Sequence, residues 1–76
     1  MGTVDIERFV NDLIESEDIY WDEEKYSYEE FKRIVTECVT KEAEYEYKMN
    51  DGEIDDWDFF EYNCRCACDR ALGNLD

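Results

Sequence analysis

The amino-acid sequence predicts an all-α fold, a small three-helix bundle that occupies residues 1–76 as a single domain. Apolar residues recur three and four positions apart in three separate stretches, helix-stop signals follow two of them, and no alternating strand pattern competes. Proline is absent, so no stretch is interrupted. A chain of this size buries only about 60% of its unfolded surface, which leaves room for one modest core and none for a deep catalytic cleft.

The first helix is expected to follow Thr3 as N-cap, with Ile6, Phe9, Val10, Leu13 and Ile14 on one face, and to end near Glu15 or Ser16. The second opens on the capping box Ser27-Tyr28-Glu29-Glu30, with Tyr26 and Phe31 placed to form a hydrophobic staple. Phe31, Ile34, Val35, Cys38, Tyr45 and Met49 are expected on its inner face, and Asn50-Asp51-Gly52 supplies the stop. The third is expected to start at Asp55, with Ile54 and Phe59 as staple. Trp57, Phe60, Cys64, Ala67, Cys68, Ala71 and Leu72 then turn inward, and Gly73 ends it. Residues 17–26 form a long connection that Ile19, Tyr20 and Trp21 are expected to fold back onto the core as a short helical turn.

Charge is distributed unevenly over this framework. The protein holds 23 Asp and Glu against 8 Lys and Arg, a net charge of −15. Thirteen of the acids lie in two windows without a basic residue. The first, between Arg8 and Lys25, contains Asp12, Glu15, Glu17, Asp18, Asp22, Glu23 and Glu24; the second, between Lys48 and Arg65, contains Asp51, Glu53, Asp55, Asp56, Asp58 and Glu61. The remaining ten acids nearly balance the eight bases, and along the second helix Glu29–Arg33, Glu37–Lys41 and Glu44–Lys48 have the four-residue spacing of stabilising pairs. Asp55, Asp56 and Asp58 favour a helix N-terminus by roughly 0.3–1 kcal/mol each, but the other window acids repel one another without structural return.

Segregated acidity points to a basic protein partner and disfavours direct contact with nucleic acid or anionic lipid, both of which require positive charge. Fifteen net charges equal those on about 25 Å of duplex DNA, and carboxylates three or four residues apart on a helix lie about 5–6 Å from one another. The residues expected at the interface are Asp22, Glu23, Glu24, Asp51, Glu53, Asp55, Asp56 and Asp58. Tyr20 and Trp21 are added because aromatic side chains anchor interfaces and accept cations. No apolar run reaches the length of a membrane span, and the N-terminus lacks a secretory pattern, so the expected location is the cytoplasm.

Enzymatic chemistry finds no support: histidine is absent, and there is no Gly-rich phosphate loop or nucleophile–base pairing. No cofactor is expected. The segment Asp51–Phe59 is similar to the second half of an EF-hand loop, but Tyr47 and Met49 would then occupy positions one and three, where a hard cation needs oxygen donors. Cys64, Cys66 and Cys68 cannot converge on one zinc ion from a helix, because Cys66 points away from the other two. Cys38, Cys64 and Cys68 are therefore expected as reduced core thiols, with Cys66 more exposed.

In size, acidity and aromatic content the whole chain resembles the small acidic DNA-mimic inhibitors of bacteriophages and mobile elements, of anti-CRISPR or anti-restriction type. The resemblance is one of general character, without a family motif, and carries no functional residue onto this sequence. It implies an inhibitor that occupies an Arg- and Lys-lined groove and excludes nucleic acid. The alternatives are an adaptor or regulatory subunit that binds a basic partner without imitating DNA, and a degenerate EF-hand-like module.

Overall fold

The computed structural model describes residues 4–74 and contains, among them, helices α1 (Ile6–Glu15), α2 (Tyr28–Met49) and α3 (Trp57–Leu72). The expected all-α three-helix architecture is found. Both α1 and α3 pack against α2, while their own backbones stay apart. Thr3 lies outside the described residues, and the cap of α1 is Asp5, whose carboxylate accepts the Arg8 N–H.

Two rows of side chains build the core. On α2 the buried row is Phe31, Val35, Val39 and Ala43; on α3 it is Phe60, Cys64, Cys68 and Leu72. Each row advances by four residues, so it drifts about 40° around its helix at every step. Such inclined ridges are the ones that mesh when two helices cross. Contacts of the Cys68 thiol with the Val35 carbonyl at 3.9 Å and of the Cys38 thiol with the Ala67 carbonyl at 3.8 Å show that α3 runs antiparallel to α2. The same register carries the large Phe60 towards the small Ala43.

The drift corrects two expectations. Tyr45 and Met49 do not join the core of α2; they are 58% and 66% exposed. By the last turns the buried row has rotated past Ala43 to Tyr47, whose hydroxyl accepts the Val4 N–H at 2.8 Å and ties down the entry to α1. Met49 has come back to the angular position of Phe31 after about five turns, but the covered face is no longer there.

On α3 the cap is Asp56 and not Asp55: its carboxylate accepts the Phe59 N–H at 3.0 Å. Phe60 is fully buried as expected, but with the start one residue later Phe59 is 55% exposed and the expected Ile54–Phe59 staple does not form, although Ile54 itself is buried. Either aspartate could cap; the interior position of Phe60 selects between them. Ala71 is likewise exposed, and Leu72 takes the inner position.

Trp57 is not a core residue but a rim one, 40% exposed. It meets Phe60 edge-on at 5.9 Å between ring centroids, and Phe9 lies 6.5 Å away on α1. Phe9 also contacts Phe60 at 5.2 Å, so this aromatic wedge fills the gap that the separated backbones of α1 and α3 leave.

The helix ends follow local chemistry more closely. Ser27 caps α2 by accepting the Glu30 N–H, and its hydroxyl donates to the Glu30 carboxylate, both at 3.2 Å. Asp51 and Gly52 end α2 with φ of 54° and 86°, the Gly52 N–H returning to the Tyr47 carbonyl at 2.7 Å. At Gly73, φ is 78° and the Asn74 N–H bonds the Asp69 carbonyl at 2.8 Å, closing α3 in a Schellman turn.

All four cysteines are free thiols; Cys64 and Cys68 are buried, Cys38 and Cys66 half-buried. Burial pushes the Cys64 thiol from an ordinary value of 9.0 up to about 12 and raises Cys68 as well.

The corrected register is tested by a pair of variants. Phe60→Ala is expected to cost about 3–5 kcal/mol in urea unfolding, and Phe59→Ala less than about 0.5 kcal/mol. The thiols supply a second test. In the native protein at pH 8, Cys64 and Cys68 should resist alkylation while Cys66 reacts. Because the unfolded chain gives up the Cys64 proton first, stability should fall as pH rises from about 9 towards 12, and Cys64→Val should flatten that slope.

Candidate protein-docking surface

The expected interface residues divide into two groups placed by the ends of α2. Its 22 residues separate them by about 33 Å. At the N-terminal end, residues 22–26 form the expected turn, in which the Asp22 carbonyl accepts the N–H groups of Lys25 and Tyr26 at 3.1 and 3.0 Å. The Asp22 carboxylate accepts the Glu24 N–H at 3.1 Å and so has a structural task, whereas Glu23 and Glu24 are exposed on the turn itself.

At the opposite end Asp51, Glu53, Asp55, Asp56 and Asp58 are all exposed. Asp56 is spent on the cap, and Asp58 sits in the first turn of α3, where the helix dipole favours it. Asp51 holds a left-handed backbone conformation that glycine adopts with less strain.

The two aromatics expected beside the first group differ in what they do. Tyr20 is 65% exposed, and its carbonyl accepts an N–H of the Asn74 side chain at 3.0 Å. Trp21 is committed to the interior: its ring stacks on Phe31 at 5.6 Å, meets Tyr28 edge-on at 5.4 Å, and its indole N–H donates to the Tyr26 carbonyl at 3.0 Å.

Between the two ends, the seam of α1 and α3 brings acids of both windows together. Asp12 from the first and Glu61 from the second line one shallow depression with Phe9, Leu13 and Asp18. A neighbouring depression continues past Phe9 to Asp5, Arg8 and Trp57. The sequence contains Asp12 and Glu61 at window edges, but their juxtaposition depends on how α1 and α3 face each other across the aromatic wedge, which no local pattern reports.

Internal neutralisation is sparse. Among the described residues the ion pairs are Arg33–Glu37 and Arg65–Asp18, each at 3.6 Å. The expected Glu29–Arg33, Glu37–Lys41 and Glu44–Lys48 pairs are not formed; Arg33 turns to Glu37 instead. Of the thirteen window acids, only Asp18 thus finds a cation, and it also accepts the Ser16 hydroxyl at 2.7 Å. On α2, Glu42 has its pKa raised, first by partial burial and then by Glu46, with Arg70 opposing.

Two further features bear on chemistry. Tyr47 and Met49, the would-be first calcium donors, lie within α2, and the Tyr47 hydroxyl already receives Val4. No group of three or more His, Cys, Asp or Glu among the described residues is arranged to hold a metal ion. No helix of the described residues is long and apolar enough to cross a membrane. No family model, curated protein or solved structure matches this chain.

Proposed function

We propose that this protein is a small acidic binding protein that docks on an Arg- and Lys-rich protein surface in the cytoplasm and blocks a nucleic-acid-binding site, as a DNA-mimic inhibitor of the anti-CRISPR or anti-restriction kind. It acts by binding and not by catalysis. The observation that carries this reading is the near absence of internal partners for the window acids: Arg65–Asp18 is the one ion pair involving them among the described residues. Exposed carboxylates left unpaired cost the fold stability, and a basic partner recovers that cost on docking.

Geometry tempers the imitation. A net charge of −15 on a body 40 Å long is roughly one charge per 3 Å, a little over half the linear density of duplex DNA. The placement of the two acidic groups at opposite ends of α2, about 33 Å apart, favours as second reading an adaptor that grips a basic partner at two points without mimicry.

Capture of a partner from host lysate followed by competition separates the two. Under mimicry, excess duplex DNA displaces the captured protein, and affinity falls steeply as salt rises from about 50 to 200 mM. Charge reversal at Glu23 and Glu24, and separately at Glu53 and Asp55, exposed acids with no cap or turn to hold, should each abolish capture while helical circular dichroism persists. Failure of DNA to displace the partner rules out mimicry, and unchanged capture by both double variants rules out the acidic ends as the interface.

A further inference from the structure

The connection from α1 to α2 encloses, with the C-terminal end of α3, a cleft of about 610 Å³ that is open on one side. That volume lies within the range of small-ligand sites. Ile14, Ile19, Trp21 and Phe31 give it an apolar lining, and Glu17, Glu23 and Asp69 its carboxylates, of which Glu17 and Glu23 are exposed while Asp69 is half-buried and accepts an N–H of the Asn74 side chain at 3.3 Å. Asp18 also lines it but is already paired with Arg65, and among the described residues no Lys or Arg lines the cleft. The Trp21 indole bond to Tyr26 and the Asn74 bond to Tyr20 brace its walls.

We infer that this cleft receives an arginine side chain of the docking partner, its aliphatic stem on the apolar lining and its guanidinium among the carboxylates. The inference rests on the docking proposed above and names the point at which it is specific. The carboxylates do not converge as metal ligands, since no group of three or more acids, cysteines or histidines among the described residues could hold an ion. A cation with a long apolar stem and dispersed charge suits separated acids beside an apolar lining better than a compact one. Tyr20 at the mouth, 65% exposed, offers a ring on which a guanidinium stacks and an ammonium does so less well.

Glu17 adds a useful handle. It holds φ of 59°, a left-handed conformation in which glycine is less strained, so Glu17→Gly removes a cleft carboxylate without endangering the fold. The test is a ¹H–¹⁵N titration with the peptide acetyl-Gly-Arg-Gly-amide and with its citrulline counterpart, which keeps the shape and loses the charge. Saturable shifts confined to Ile19, Tyr20, the Trp21 indole and Asp69 to Asn74, given by arginine and not by citrulline, are expected. Glu17→Gly and Glu23→Gln should each weaken binding about threefold.

Shifts that grow linearly, or that are as large along Asp51–Asp58, overturn the cleft as a site, as does an affinity unchanged in both variants. A captured partner that duplex DNA displaces but that ignores both substitutions overturns the cleft alone and leaves the docking reading intact.

Discussion

The meshing of two four-residue ridges, Phe31-Val35-Val39-Ala43 on α2 and Phe60-Cys64-Cys68-Leu72 on α3, is the interaction on which the rest of this structure depends. It fixes the antiparallel register, turns Phe60 inward and selects Asp56 over Asp55 as the cap. Everything else is attached to that pair: α1 reaches it through Val10, Leu13 and the Phe9 wedge, and the long connection through Ile19 and Trp21. Two of the eight ridge positions are thiols, small and polarisable enough to pass between helices, and their burial explains why they are held neutral.

How much of this was legible beforehand depended on the range of the forces involved. Ser27, Gly52 and Gly73 act through their own backbones within a few residues, and their roles followed from residue type alone. Tyr45 and Met49 were misplaced because a straight 3.6-residue stripe ignores the drift of an inclined ridge, which only the crossing of α2 with α3 sets, and Phe59 because Asp55 and Asp56 are equally good caps by residue type. For the same reason Asp12 and Glu61 looked like separate edge residues and prove to be neighbours across a seam. Trp21 belonged to an ambiguous segment; its ring, stacked on Phe31, holds the connection closed and so shapes the cleft beside Glu23 instead of standing free.

The surface charge is a separate matter from this core. Caps and first-turn positions account for Asp5, Asp56 and Asp58, a turn accounts for Asp22, and an ion pair for Asp18. Glu23, Glu24, Glu53 and Asp55 have no such task, and their exposure keeps them available to a partner. A fold with so small a core tolerates this repulsion only within narrow limits, which makes the retained acids informative about function.

The central claim, that these acids burden the fold, is tested most directly by thermal unfolding of a Glu23→Gln, Glu24→Gln, Glu53→Gln, Asp55→Asn variant beside the parent at 10 mM and 500 mM NaCl. Relief of about 1 kcal/mol of repulsion should raise Tm by about 4–8 °C at low salt, with the difference shrinking at high salt. A variant that melts below the parent at 10 mM NaCl would contradict the claim, because the carboxylates would then be holding the structure together.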